Sequence, residues 1–273
     1  MSDTRPIGVF DSGVGGLSVL AAIRAELPAE DLLYVADSGH APYGERPRDF
    51  VEDRAAAIAA FLLQQTAKAL VVACNTATGI AVDALRARYA IPIVAIEPAV
   101  KPAAAQTRTG VVGVLATAHT LSSSRFLKLV DTHASGVQVL IQPCPGLVER
   151  VELGDLRGPG TKALVEQYVR PLLMQDADTL VLGCTHYPFL RAAIEEVAGA
   201  GVVLVDPALA VARELRRRLS LGELLTHDGQ PSTERFWTSG SAPAVERVIR
   251  QLWKEDASVQ VLPDVASRAA TAR

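Results

Sequence analysis

The chain has 273 residues, a formal net charge of −3 and a pI near 6.0. This length can bury a sizeable core in one large or two small domains, and the charge leaves no basic footprint for nucleic acid. No apolar run of about 18 residues or more predicts a membrane span, and the first residues, Met1 to Ile7, predict no signal peptide. The three cysteines argue against a disulfide framework and favour a reduced, cytosolic protein.

The first part of the chain alternates short apolar runs with helical patterns. Strands are predicted at 7–11, 32–37, 69–73 and 91–96, and a helix at 49–65. The first strand leads into Gly13-Val14-Gly15-Gly16, where glycines permit close backbone approach and the first helical amides can face an anion. This turn lacks the third glycine of a dinucleotide fingerprint and no Walker lysine follows it. A plain strand-to-helix turn, with Asp11 or Ser12 as N-cap, is the alternative interpretation.

The second part of the chain repeats the first. Strands are predicted at 109–115, 137–142, 179–183 and 202–205, with helices at 147–152 and 161–175. The spacing from Asp11 to Cys74 is close to that from Thr117 to Cys184, and an acid-Pro-Ala sequence closes each unit. We therefore predict two pseudo-symmetric α/β domains, each a mostly parallel sheet flanked by helices, with the active site in the cleft between them. The predicted domains are 1–97 plus 208–273, to which a helix–strand–helix tail returns, and 98–207.

Two of the three cysteines, Cys74 and Cys184, end equivalent strands of the two units. Ligands of open α/β sheets bind beyond the carboxyl ends of the strands, and a following helix N-terminus is expected to lower a thiol pKa. Taken singly, each cysteine is also compatible with a small buried apolar residue. No further ligands have zinc spacing and no Cys-x-x-Cys is present, while a Cys-His protease using His186 would leave one thiol without a role. Two thiols facing one cleft suit a racemase that removes a proton from one face of a carbon and delivers one to the other.

Several motifs resemble those of the glutamate racemases, which belong to the cofactor-independent aspartate/glutamate racemase group. The resemblance covers nearly the whole chain, including the tail sequence from Phe236 to Gly240. The dipeptide Arg46-Pro47 departs from the usual forms, and we interpret it as a variation at the rim of the site. The motifs that carry the resemblance are Phe10-Asp11-Ser12-Gly13-Val14-Gly15-Gly16-Leu17, Pro42-Tyr43-Gly44, Ala73-Cys74-Asn75-Thr76-Ala77, Leu115-Ala116-Thr117 with Thr120 and Ser123, and Gly183-Cys184-Thr185-His186-Tyr187-Pro188.

The resemblance implies a role for each matched residue. It makes Cys74 and Cys184 the two acid/base groups, with Asp11 near the first and with Glu152 and His186 near the second, where they tune protonation and meet the substrate ammonium. Plain helix caps at Thr117 and Thr120 and a solvated helix residue at Glu152 remain the alternatives. Cys144, which lies between two prolines, is predicted to be structural. The implied substrate-binding residues are Asp11, Ser12, Pro42, Tyr43, Gly44, Asn75, Thr76, Thr117, Thr120, Thr185 and His186.

The implied activity is interconversion of L- and D-glutamate by two thiols without a cofactor or metal, supplying D-glutamate for peptidoglycan in the cytoplasm. The resemblance suggests that Cys74 deprotonates D-glutamate and Cys184 deprotonates L-glutamate. The expected partner is the small-molecule substrate, not nucleic acid or membrane, and a homodimer is compatible with the resemblance. Two alternatives are a racemase for aspartate or a related acid and a non-catalytic amino-acid-binding module, which would not need two thiols.

Overall fold

A computed structural model describes residues 3–226, 232–253 and 256–263. Met1 and Ser2, which belong to the segment expected to lack a signal peptide, lie outside the described residues, as does the end of the first predicted domain at 264–273. The described residues form two parallel sheets, one with strand order β10-β9-β2-β1-β3-β4 and one with order β6-β5-β7-β8. The strands are β1 (Ile7–Asp11), β2 (Leu32–Ala36), β3 (Ala69–Val72), β4 (Ile93–Ala95), β5 (Val111–Ala116), β6 (Gln138–Pro143), β7 (Thr179–Leu182), β8 (Val203–Val205), β9 (Glu234–Thr238) and β10 (Val259–Val261).

Helices connect the strands, as parallel pairing requires a crossover between successive strands. Two helices lie between β5 and β6, because Ser123 ends the first and caps the second by accepting a hydrogen bond from the Phe126 amide. The helices are α1 (Leu17–Glu26), α2 (Arg48–Gln64), α3 (Asn75–Arg88), α4 (Val100–Gln106), α5 (Ala118–Ser122), α6 (Ser124–His133), α7 (Leu147–Glu152), α8 (Pro159–Leu173), α9 (Arg191–Ala198), α10 (Ala208–Leu221) and α11 (Ala242–Trp253).

The two sheets share one topology, which confirms the predicted fold class. The order β2-β1-β3-β4 in the first sheet is the order β6-β5-β7-β8 in the second, so β3 and β7 occupy equivalent places. Both are four-residue strands that are buried throughout, as expected for strands covered on both faces. Their carboxyl ends therefore present the residues that follow, Cys74 and Cys184, at corresponding edges.

The chain leaves and re-enters the first sheet near the two acid-Pro-Ala sequences. After β4, helix α4 packs against α6 and β7 of the second sheet, whereas α10, after β8, packs against α1. Strand β9 then pairs with β2 in the first sheet. These contacts support domain boundaries at about residues 98 and 207, which we retain as a proposal.

The chain forms one unit around the first sheet and a second unit around the second sheet. The largest apolar cluster is continuous between these two units and holds them together. It includes Leu20 on α1 and Leu215 on α10, together with Val148 and Val151 on α7. Complete burial of a Val or Leu side chain contributes about 1.5–3 kcal/mol to the stability of the fold, relative to leaving that side chain exposed. Within the described residues, no helix combines the length and apolar character needed to span a bilayer.

Candidate active site

Cys74 is the N-cap residue of α3, so its thiol lies at the N-terminus of that helix. Its extended backbone lets Sγ accept a hydrogen bond from the Ala77 amide at 3.4 Å, and Sγ lies 3.8 Å from the Ser12 hydroxyl, to which it donates. The expectation that the helix N-terminus lowers this pKa is wrong for the structure as it stands. Burial, followed by the nearby Asp11 carboxylate, raises the pKa of Cys74 above its ordinary value, and the Ala77 amide only partly opposes this.

The thiol of Cys184 has a different setting from the one predicted. A turn and a 3-10 segment, Tyr187–Leu190, follow it, and the regular helix α9 begins only at Arg191. The prediction that both cysteines lie at helix N-termini is correct only for Cys74, because a turn and a 3-10 segment separate Cys184 from α9. The neighbour of Cys184 is instead an imidazole: His186 Nδ1 lies 3.7 Å from Sγ.

A buried carboxylate–imidazole pair stands behind Cys184. The Nε2 atom of His186 is 2.6 Å from Glu152 Oε1, and the imidazole is almost fully buried. Burial disfavours the imidazolium, but the hydrogen bonds to Cys184 and Glu152 outweigh this and raise the pKa of His186 well above its ordinary value. The alternative of a solvated helix residue at Glu152 does not describe this contact, since its side chain is only 16% exposed.

Glycines 13 and 15 allow the backbone to lie directly against this pair. A Cβ at Gly13 would stand 1.9 Å from Glu152 Oε1, and one at Gly15 would stand 2.3 Å from His186 Nδ1. The Val14 amide donates to Glu152 Oε1 at 2.7 Å. The anion that the glycine-rich turn was expected to face is thus met within the protein by a carboxylate from the other unit.

The carboxylate of Asp11 is fully buried beneath the same turn. Its Oδ2 accepts the amide of Gly16 at 2.9 Å, and the Thr185 hydroxyl approaches it from the other unit at 3.4 Å. Burial, the largest effect, raises the pKa of Asp11 to about 6, while the charge of His186 acts in the opposite direction. Asp11 therefore stabilises the turn by accepting hydrogen bonds. The N-cap residue of α1 is Gly16, and not Asp11 or Ser12.

A narrow cavity lies between the two thiols, and nearly all the predicted substrate-binding residues line it. Asp11 and Glu152, which were both predicted to belong to the site, are not among the residues that line the cavity. Val148 and Gly183 line it without having been predicted to bind substrate, although Gly183 lies in a quoted motif and Val148 in a predicted helix. The lining residues are Ser12, Pro42, Tyr43, Gly44, Cys74, Asn75, Thr76, Thr117, Thr120, Val148, Gly183, Cys184, Thr185 and His186.

Polar groups at one end of the cavity come from both units. The hydroxyls of Thr76, Thr117 and Thr120 lie 3.0–3.4 Å from one another. Thr117 also caps α5, since its hydroxyl accepts the Thr120 amide, so the cap and the cavity wall are both correct descriptions. No group in the described ranges hydrogen-bonds the side-chain amide of Asn75, although it is buried. An unmet buried amide costs about 1–3 kcal/mol, which favours a polar ligand beside it.

The loop after β2 closes the cavity from the first unit. The hydroxyl of Tyr43 donates to Asp37 at 2.5 Å, and Arg54 binds the same carboxylate, so this hydroxyl is already engaged within the protein. The backbone at Gly44 approaches the second unit so closely that a Cβ would lie 2.8 Å from Thr117. The unusual Arg46 sits at the rim, where its carbonyl accepts a hydrogen bond from His119 at 2.8 Å.

The third cysteine, Cys144, is buried beside the site and is not among the residues that line the cavity. Its Sγ donates to the Gln142 carbonyl at 3.2 Å, which agrees with a structural role. In the ranges that the structure covers, no group of three or more His, Cys, Asp or Glu side chains is arranged to hold a metal ion.

Comparison with known proteins identifies the family of this chain. Residues 7–215 match the family model described as Asp/Glu/Hydantoin racemase. A glutamate racemase of Pseudomonas paraeruginosa is 56% identical over 259 residues, covering 94% of this chain and 97% of that protein.

Solved structures agree with this relationship. The glutamate racemase of Francisella tularensis, in complex with D-glutamate, is 29% identical with a TM-score of 0.85 over 97% of this chain and 99% of that one. The Escherichia coli glutamate racemase, in complex with L-glutamate and the activator UDP-MurNAc-Ala, is 33% identical with a TM-score of 0.84 over 94% and 98%. The chain therefore belongs to the Asp/Glu/hydantoin racemase family and is an amino-acid racemase, with glutamate racemases among its relatives.

Proposed function

We propose that this chain interconverts L- and D-glutamate by a two-base mechanism in which Cys74 and Cys184 act without a cofactor or metal. The observation that carries the proposal is that one narrow cavity has a thiol from each unit in its wall, at equivalent strand ends. The relatives named as glutamate racemases support glutamate as the substrate.

The proposed reaction moves one proton off the α-carbon and another on. One cysteine, as the thiolate, takes the α-proton while the electron pair of the C–H bond stays on carbon. The other cysteine, as the thiol, then gives its proton to the opposite face. Each turnover leaves the two sulfurs with exchanged protonation states, so the product of one direction is the reactant of the other.

The acidity gap is the main obstacle, because an α-proton is far less acidic than a thiol with an ordinary pKa near ~8.5. Donors placed on the developing negative charge contribute roughly 3–4 kcal/mol each. The amide of Asn75 and the hydroxyls of Thr76, Thr117 and Thr120 are the groups we assign to the substrate carboxylates. Closure of the two units excludes water and strengthens each of these interactions.

The surroundings of the thiols suit unequal roles at rest. The raised pKa of Cys74 favours its thiol form, whereas His186 beside Cys184 can hold a proton and stabilise a thiolate. This arrangement is primed to deprotonate the enantiomer that faces Cys184, which the family resemblance suggests is L-glutamate.

The first experiment is an assay with L-glutamate alone after dialysis of the protein against a chelator. The ellipticity of the solution should decay to zero, and the protein should carry no chromophore absorbing beyond the protein band. A faster decay with L-aspartate would reassign the substrate. Binding of glutamate without any decay would indicate a binding module, and activity regained only on adding a metal would contradict the cofactor-independent mechanism.

The cellular role is proposed on the resemblance alone. D-glutamate made in the cytoplasm would supply peptidoglycan synthesis. A bacterial strain that requires external D-glutamate for growth should lose that requirement when it expresses this chain. The Cys184→Ser variant should not remove the requirement.

A further inference from the structure

The carboxylate of Glu152 is held by groups of the opposite unit. Glu152 ends α7 in the second unit, but its Oε1 accepts the Val14 amide and its Oε2 accepts the Ser38 hydroxyl at 2.8 Å. The remaining contact is the one that Oε1 makes with His186. Among the described residues, the two oxygens have three partners, and two of these, Val14 and Ser38, belong to the first unit.

From this arrangement we propose that Ser38 is a positioning residue for the half-reaction at Cys184, a proposal that rests on the proposed function. The Val14 amide and His186 both bind Oε1, so together they hold only one oxygen of the carboxylate. The Ser38 hydroxyl on Oε2 fixes the second point and with it the plane of the carboxylate. That plane sets where the imidazole Nδ1 stands relative to Cys184 Sγ.

The loop that carries Ser38 is itself firmly anchored. The next residue, Gly39, donates its amide to the Ser239 hydroxyl at 3.1 Å, and the preceding Asp37 is bound by Arg54 and Tyr43. The Ser38 side chain therefore holds Glu152 from a fixed base, as a supporting group must if it is to hold a catalytic group in place.

The contact also links the Cys184 side to closure of the two units. Opening the cleft would separate Ser38 and Val14 from Glu152, and the orientation of His186 would be lost with them. The partners of Cys74, by contrast, are Ser12 and Ala77, which both belong to the first unit. Ser38 should therefore influence one half-reaction and not the other.

Racemisation rates cannot reveal such a bias, because the enantiomers have equal free energies and kcat/KM must change equally in both directions. A glutamate with chlorine on its β-carbon isolates the first step. Removal of the α-proton expels chloride and leaves an enamine, which water hydrolyses to a 2-oxo acid and ammonia. Chloride release from each enantiomer thus reports on one base.

The experiment compares Ser38→Ala with wild type for both enantiomers of β-chloroglutamate. The enantiomer whose elimination is lost in Cys184→Ser defines the Cys184 half-reaction. Ser38→Ala should slow elimination from that enantiomer by about tenfold, the effect of one charge-assisted hydrogen bond, and leave the other unchanged. The KM for glutamate should not change, since Ser38 does not line the cavity.

Two variants control for general loosening. Ser38→Thr keeps the hydroxyl and should restore the rate. Ser239→Ala removes one anchor of the same loop without touching Glu152, and because Arg54 and Tyr43 still hold Asp37, it should slow elimination from neither enantiomer. Equal losses for both enantiomers in Ser38→Ala, no loss in either, or failure of Ser38→Thr to restore the rate would overturn the proposal and leave the proposed function intact. A wild-type chain that neither racemises glutamate nor eliminates chloride would overturn both.

Discussion

The two thiols occupy equivalent places in two equivalent sheets, yet their surroundings differ. Cys74 is the N-cap of a helix and has a hydroxyl and a backbone amide for neighbours. Cys184 precedes a turn and has an imidazole that is held by a carboxylate. The topology sets where a sulfur lies, while the residues beside it set how that sulfur gains and loses a proton.

This difference suits a reaction on a single carbon between two bases. A symmetric pair of thiols would share the same protonation preference, whereas the proposed two-base reaction needs one thiol and one thiolate at the same moment. Burial raises the pKa of Cys74 and favours its thiol form, whereas Cys184 has an imidazole beside it. We therefore expect substitutions on the two sides of the cavity to affect the two half-reactions differently.

The largest effect is expected from removing either thiol. Cys74→Ser and Cys184→Ser should fold but lose racemisation by several orders of magnitude, because an alcohol is a much weaker acid than a thiol. Each should still release chloride from the β-chloroglutamate enantiomer that faces the remaining cysteine. Cys144→Ser is the matched control and should keep most activity. An inactive Cys144→Ser beside an active Cys184→Ser would refute the two-thiol site.

The next effect concerns the glycines against the Glu152–His186 pair. Gly15→Ala would place a methyl group 2.3 Å from His186 Nδ1, so the imidazole beside Cys184 must shift from its present position. A displacement of about 1 Å near a reacting group can cost about a hundredfold in rate. Elimination through Cys184 should fall more than elimination through Cys74. Gly201→Ala, which meets nothing within 4 Å, should leave both rates unchanged, and a matching loss there would remove the argument.

Much of this comparison could be predicted from the sequence, and the limits have physical causes. The repeat of buried strands and the position of the cysteines predicted the two-unit fold, since period and spacing are local properties. The setting of Cys184 could not be predicted, because the backbone after β7 forms a turn and a 3-10 segment before a regular helix begins. The partners of Glu152, Val14 and Ser38, lie far from it along the chain, and only the folded structure brings them together.

The pKa of Cys74 was predicted in the wrong direction for a related reason. A helix N-terminus is a sequence feature that lowers a thiol pKa, but burial is a property of the whole fold. In this cavity burial and the charge of Asp11 outweigh the Ala77 amide.

A smaller effect is expected from Asp11, on the Cys74 side of the cavity, in how the free energy of unfolding depends on pH. The fold raises the pKa of Asp11 from 3.8 to about 6, so the native state holds this proton more tightly than the unfolded chain does. Neutral Asp11 therefore stabilises the native state. This contribution to the free energy of unfolding is fully present below about pH 4 and is lost as pH rises through about 6. Relative to Asp11→Asn, which does not titrate, wild type should lose about 3 kcal/mol of unfolding free energy across that interval. Parallel curves in urea titrations from pH 4 to 7 would contradict this assignment.

The smallest effect lies at the far end of the strands, where the two units differ again. Lys68 precedes β3 and pairs with Glu30 at 2.6 Å, whereas Asp178, at the corresponding place before β7, accepts hydrogen bonds from Thr107 and from the amide of Arg108. Although burial opposes it, this hydrogen bonding lowers the pKa of Asp178 to about 2.

The stability from the Asp178 carboxylate is therefore present above about pH 4 and is lost as pH falls through about 2. Asp178→Asn turns an NH2 group towards backbone amide donors and should cost about 2 kcal/mol of unfolding free energy at pH 7, and almost nothing near pH 2. Racemisation at 25 °C should be unchanged, because Asp178 lies at the opposite end of β7 from Cys184. Loss of activity in a stably folded Asp178→Asn would mean that the two ends of this strand are coupled. The asymmetry around the two thiols would then extend through the whole sheet instead of being confined to the cavity.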